Sequence, residues 1–230
     1  MSSSQVGKTE ILSNIIGFFI DQEPSPMLMV QPTLDIAKVF SSDRLAPMLR
    51  DTPCLKGLVR DARSRDSQNR ILKKVFPGGF VAIAGANSPA SLSSRPVRVV
   101  LCDEVDRYPR SAGTEGDPVG LAFKRSTTVW NRKRMITSTP TIKGRSRIEK
   151  GFQESDMRYF WVPCPYCQTY QTMKWSQVKW PEDKPKEACY ECEHCKAKIN
   201  DAEKLAMIRK GEWRAEGEFK GTAGFHINEL

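Results

Sequence analysis

No apolar run in the sequence approaches the roughly 20 residues that a membrane span needs. The longest candidate, Ile11 to Ile20, is interrupted by Ser13, Asn14 and Gly17. Only Lys8 stands ahead of it as a cation and no cleavage site follows, so it also makes a poor secretory leader. Acidic residues are the minority charge, 27 Asp and Glu against 36 Lys and Arg, which leaves a net charge of +9. That excess points to an anionic partner, nucleic acid first, although charge by itself decides little. Cysteine is scarce and of odd number: seven in all, four of them in two Cys-x-x-Cys units. This argues against a disulfide framework and for metal binding in a reducing compartment. The remainder, 39% hydrophobic and 27% charged over 230 residues, is ordinary globular composition, enough for one sizeable domain or one domain with a small appendage.

A strand ahead of the first motif is lacking too. Gln5-Val6-Gly7-Lys8-Thr9 runs into Glu10-Ile11-Leu12 and matches the end of the phosphate-loop signature Gly-x-x-x-x-Gly-Lys-Ser/Thr, with Ser2 at the first glycine position. Gly7 can take a positive φ and let backbone N–H groups curl around a polyphosphate. Lys8 would reach the β- and γ-phosphates, the Thr9 hydroxyl would hold Mg²⁺, and the helix N-terminus behind them favours the anion. A phosphate loop normally follows a buried strand, so a misplaced start or a fragment is expected.

Ile11, Leu12, Ile15, Ile16 and Phe19 form an apolar helical stripe, ended by Pro24 and Pro26. Met27 to Val30 reads as a buried strand, Leu34 to Phe40 as a helix, and Asp43 to Leu49 as helical with a break at Pro47. Arg60 to Lys74 is dense in charge and is either a solvated surface loop or a DNA- or phosphate-facing edge. Val75-Phe76 and Phe80 to Ala84 predict a hairpin across Gly78-Gly79, and Ala86 to Ser94 a loop.

The second anchor is Val97 to Cys102 followed at once by Asp103-Glu104. A β-branched apolar run suits a strand buried in a parallel sheet, and such strands deliver ligand-binding groups at their C-terminal ends. Asp103 would hold Mg²⁺ through water, and Glu104 would polarise the attacking water as general base. Leu121 to Trp130 is a predicted helix. Met135-Ile136 leads into Thr137-Ser138-Thr139, a short strand ending in hydroxyl residues able to sense a γ-phosphate.

Cys164-x-x-Cys167 and Cys192-x-x-Cys195 are spaced as the two knuckles of a Cys₄ zinc ribbon. Cys189-x-x-Cys192 is a competing second pair; Cys192 and Cys195 are preferred because Lys196-Ala197-Lys198 can supply N–H groups as in the first knuckle. Four thiolates leave no open position, which makes the metal structural. Trp161, Trp175, Trp180 and Trp213 are expected to pack the ribbon, and Asp201 to Arg209 is a helix capped by Asn200 or Asp201.

The ordered runs Gln-Val-Gly-Lys-Thr-Glu, Val-Val-Leu-Cys-Asp-Glu-Val-Asp-Arg-Tyr-Pro, Thr-Ser-Thr-Pro-Thr, the two cysteine knuckles and Gly-Phe-His-Ile-Asn resemble the large terminase subunit of phage lambda type. The resemblance implies an α/β P-loop NTPase with a mostly parallel sheet followed by a zinc ribbon. It implies ATP, Mg²⁺ and Zn²⁺ as cofactors, and an ATP-driven motor packaging double-stranded DNA into a procapsid. The implied partners are a small terminase subunit, the capsid portal and further copies in a ring, in the host bacterial cytoplasm and away from membranes. The expected division is 1–158 ATPase, 159–200 ribbon and 201–230 helix and linker. An adenine-binding segment is expected upstream of residue 1, and no nuclease activity is expected in this polypeptide. Gln5 to Thr9, Asp103 and Thr137 to Thr139 are the implied nucleotide contacts, Lys8 and Glu104 the catalytic pair, and Arg95 the candidate transition-state arginine. A helicase-like DNA-dependent ATPase and an inactive prophage remnant are the alternatives.

Overall fold

The structure is a computed structural model that describes residues 1–59, 70–93 and 95–230. They divide into two units, Gly7–Thr141 and a second made of Met1–Val6 with Ile142–Leu230. Residues 60–69 of the charge-dense stretch lie outside the described residues.

The first unit begins with α1 (Lys8–Asp21), whose stripe buries Leu12, Ile16, Phe19 and Ile20. β1 (Met27–Gln31) is buried at every position, as a central parallel strand must be. α2 (Leu34–Val39) is capped by Thr33, whose side chain accepts from the Ile36 amide. A π-helical turn, Phe40–Leu45, passes into α3 (Ala46–Asp51). Pro47, expected as a break, sits instead in the first turn of α3, directly after the π-helical turn, and the chain stays helical through it. β2 (Lys73–Phe76) and β3 (Gly79–Gly85) form the predicted hairpin. The expected loop after it contains a one-turn helix, α4 (Pro89–Leu92). β4 (Val99–Cys102) is fully buried. α5 (Pro118–Lys124), capped by Asp117, begins and ends earlier than predicted, and β5 (Lys133–Ile136) closes the series.

The sheet runs in the order β2-β3-β1-β4-β5. β3, β1, β4 and β5 are mutually parallel, and β2 is antiparallel to β3. Register pairs Val30 with both Ala84 and Cys102, and Cys102 with Ile136. The residues that follow, Gln31, Asp103 and Thr137, therefore arrive level at one end of the sheet. Beneath them Leu12, Ile16, Met27, Met29, Leu45, Val81, Val99 and Leu101 form the core.

In the second unit α6 (Arg147–Gln153) is capped by Ser146. β6 (Arg158–Pro163) pairs with β7 (Tyr170–Thr172). β8 (Val178–Lys179), β9 (Cys189–Glu191) and β10 (Lys198–Ile199) make a separate antiparallel sheet. α7 (Asp201–Arg209) starts at Asn200 with a reciprocal capping box to Glu203. β11 (Glu212–Ala215) and β12 (Phe225–His226) flank β6 on its two sides. Among the described residues no helix is long and apolar enough to cross a membrane.

Candidate active site and metal centre

The C-terminal ends of β1, β4 and β5 meet the start of α1. Gly7 is left-handed at φ 78° and has open space around it, so the constraint there is backbone conformation rather than room. It lets the chain turn directly into α1 and sets Lys8 and Thr9 in the first turn. Thr9 Oγ1 donates to Asp103 Oδ2 at 3.1 Å. Asp103 is 3% exposed and also accepts from Thr137 Oγ1 at 2.8 Å and Gln31 Nε2 at 3.5 Å. A buried carboxylate costs heavily unless donors surround it, and here three do.

Lys8 Nζ lies 2.7 Å from Glu104 Oε1 and 2.6 Å from Thr139 Oγ1. Ser138 Oγ accepts from the Asp106 amide at 3.2 Å and lies 3.5 Å from Glu104 Oε2. Glu104 itself stands in the left-handed region, φ 53° and ψ 48°, before a 3-10 turn over Val105–Arg107. That turn is held by Val105 N–H to Thr137 O at 3.2 Å and by Thr141 N–H to Asp106 Oδ2 at 3.0 Å. Tyr108 Oη donates to Val30 O at 2.8 Å, which ties the acidic loop to β1. Burial pushes the Tyr108 hydroxyl well above its usual range and the neighbouring Cys102 thiol up to about 12, so both stay neutral.

Seven of the sequence-predicted residues thus converge: Lys8, Thr9, Asp103, Glu104, Thr137, Ser138 and Thr139, with Gly7 at the turn. Gln5, left-handed at φ 57°, and Val6 belong to the other unit. Arg95 is exposed and precedes β4, whereas Asp103 and Glu104 follow it, so it lies toward the opposite end of the strand. Two residues escaped the sequence reading. Gln31 is the last residue of β1, and register with β4 sets it beside Asp103, the residue after β4. Arg107 Nε lies 3.6 Å from Glu104 Oε2 with its side chain 68% exposed.

In the other unit Cys164, Cys167, Cys192 and Cys195 place their sulfurs within 4.8 Å of one another. The pairs Cys164–Cys195 and Cys167–Cys192 are 3.8 and 3.9 Å apart. A tetrahedron with Zn–S bonds of about 2.3 Å has edges of about 3.8 Å, so the donor set fits zinc in type and spacing. Cys189 lies on β9 outside the cluster. The two knuckles repeat one backbone pattern. Gln168 N–H donates to Cys164 O and Lys196 N–H to Cys192 O, at 3.0 and 3.1 Å, and both donors are left-handed. Cys164 and Cys192 N–H groups in turn reach Thr169 O and Ala197 O. Amides of Tyr166 and Cys167 point at the Cys164 sulfur, those of His194 and Cys195 at Cys192, and that of Ala197 at Cys195. The Thr169 hydroxyl and amide lower the Cys167 thiol to about 6, whereas burial pushes Cys164 up to about 12. Gln171 Nε2, buried, donates to the Cys192 sulfur at 3.4 Å. Of the tryptophans, Trp213 packs on Phe160 and Phe225, while Trp175 and Trp180 lean on each other and stay exposed.

Residues 1–213 match the family described as phage terminase large subunit gpA, ATPase domain. The large terminase subunit of Enterobacteria phage P21 is 32% identical over 213 residues, 88% of this chain and 33% of that protein. The large terminase subunit of Escherichia phage lambda is 29% identical over 234 residues, 94% of this chain and 36% of that protein. The chain spans about a third of the length of these relatives. Among solved structures, the large terminase ATPase domain of a Thermus phage aligns with a TM-score of 0.42 and 18% identity, over 61% of this chain and 58% of that one.

Proposed function

The chain belongs to the family of phage terminase large-subunit ATPase domains, and from that premise we propose that it hydrolyses ATP to drive double-stranded DNA into a procapsid. The observation that carries the proposal is the meeting of Lys8, Glu104, Thr9 and Asp103 with the Thr137 to Thr139 hydroxyls at one end of a parallel sheet. Lys8 would bind the β- and γ-phosphates, and the Gly7 turn and the α1 N-terminus would orient them. Thr9 and Asp103 are hard oxygen ligands 3.1 Å apart, a donor set suited to Mg²⁺, which would neutralise phosphate charge when bound. Glu104 would take the proton of the attacking water. Thr139 touches Lys8 and Ser138 touches both Glu104 and the Asp106 amide, so this segment is the proposed sensor of phosphate loss.

Arg95 is the transition-state arginine proposed from the sequence; its place ahead of β4, with Asp103 and Glu104 after it, tells against that role at its own site. Gln5 and Val6 are proposed as phosphate-loop residues on the sequence motif alone. The segments 1–158, 159–200 and 201–230 are the proposed motor, ribbon and connecting parts. The four cysteines would hold a structural zinc, and the small terminase subunit and portal are the proposed partners in the host cytoplasm.

A DNA-stimulated ATPase assay tests the reading. Lys8→Ala and Glu104→Gln should each lose about 10²-fold or more in turnover. Parent-like rates in either variant would sink it. Stimulation by portal or small subunit distinguishes a packaging motor from another DNA-dependent ATPase.

A further inference from the structure

At the end of the sheet away from the phosphate groups, the connection between α5 and β5 carries one sign of charge. From Pro118 to Thr141 the chain holds Lys124, Arg125, Arg132, Lys133 and Arg134 and no acid. Lys124, Arg132, Lys133 and Arg134 are exposed. At the tip stands Trp130, 90% exposed.

This connection is built rather than loose. The Arg134 guanidinium lies 5.0 Å over the Phe123 ring and donates to Ser126 Oγ at 2.8 Å and Phe123 O at 2.7 Å. Arg132 Nη1 donates to Val129 O at 3.3 Å, and Arg125 Nη1 to Ser93 O at 2.7 Å. Lys133 N–H pairs with Arg98 O, and Arg98 in turn holds Glu23 at 2.6 Å, so that acid is already neutralised.

We propose that this tryptophan-tipped basic connection is a contact surface for the phosphate backbone of double-stranded DNA. The proposal rests on the DNA-motor reading above. The lysines are point charges free to meet phosphates. The arginines, which would otherwise read base edges with their forks, are engaged with the Ser93, Phe123 and Val129 carbonyls and the Ser126 hydroxyl. The surface therefore grips without reading sequence, and Trp130 lies flat against the sugar-phosphate edge. β5 joins it to the other end of the sheet: four residues after Lys133 come Thr137, Ser138 and Thr139, which touch Asp103, Glu104 and Lys8. At about 3.3 Å per residue, one strand of roughly 13 Å connects the DNA grip to the phosphate sensor.

The test uses the full chain with zinc and a labelled duplex of arbitrary sequence, titrated from about 50 to about 200 mM salt. Each phosphate contact contributes about 0.9 to the slope of log K against log salt. Replacing Lys124 and Lys133 together by Gln should flatten the slope by about 2 and reduce DNA stimulation of the ATPase, with the DNA-free rate unchanged. Trp130→Ala should weaken binding and leave the slope as it was. If the double variant binds with the parent's affinity and slope, this surface is wrong while the motor reading stands. A parent chain that binds no duplex at low salt overturns both. Altered self-association with unaltered DNA affinity assigns the surface to a neighbouring protein and overturns the DNA proposal.

Discussion

Replacing Glu104 by glycine and, separately, by alanine exposes the backbone strain at the acid. Both changes delete the carboxylate and its 2.7 Å contact with Lys8, so that loss cancels between them. What differs is the cost of φ 53° and ψ 48°. An L-residue pays about 1–2 kcal/mol in the left-handed region, while glycine pays nothing there but about 0.5–1 kcal/mol in extra chain entropy. The balance favours glycine by about 0.5–1 kcal/mol, the reverse of the order at an ordinary helical or strand position. For a chain of this size each kcal/mol moves the melting temperature by about 2–4 °C, so Glu104→Gly should melt about 1–4 °C above Glu104→Ala. Scanning calorimetry gives the comparison, and neither variant should turn over ATP. An alanine variant melting at or above the glycine variant would refute the argument. The strain persists because Thr137, Ser138 and Thr141 each hold the turn that follows the acid.

Thr137→Val removes the 2.8 Å donor from a buried carboxylate and should cost about 1.5–3 kcal/mol, while Thr137→Ser should not; equal melting of the two would refute the role given to that hydroxyl. Cys164→Ser or Cys192→Ser should lower bound zinc below one per chain by metal analysis, whereas Cys189→Ser should leave it unchanged. His226 packs against Tyr159 and Phe152, and burial holds its pKa below the ordinary 6.5. The unfolded chain then takes up the proton first, so the stability is present above about pH 6.5 and is lost as pH falls through the lower folded value. His226→Phe should lose less melting temperature than the parent between about pH 7.5 and about pH 5, and equal losses would count against the burial argument.

Central strands were legible because parallel pairing buries both faces, and Met27 to Val30 and Val99 to Cys102 are apolar without interruption. The acids were legible because Asp103-Glu104 ends such a run. Gln31 was not, since one amide at the last position of a strand has no signature until register sets it beside Asp103. The end of α5 was misjudged for a similar reason. Val129 and Trp130 are apolar, but Lys124 to Thr128 separate them from Phe123, and Arg134, ten residues beyond Lys124, captures the Phe123 carbonyl. The choice of Cys192 with Cys195 over Cys189 agrees with the sulfur cluster because only those two flank a knuckle that repeats the first. Arg95 shows the opposite case: its sequence distance from Asp103 is short, but a strand lies between them and separates what the sequence places close.

The gap between the ribbon sulfurs also governs its response to oxidants. The pairs 3.8 and 3.9 Å apart each join one knuckle to the other, and a disulfide would have to draw them to about 2.05 Å. Closing that gap would pull both left-handed turns out of register and consume the ligand set. Metal uptake and peroxide damage therefore compete for the same four atoms, and thiol loss under mild oxidant becomes a measure of how fully the ribbon is loaded.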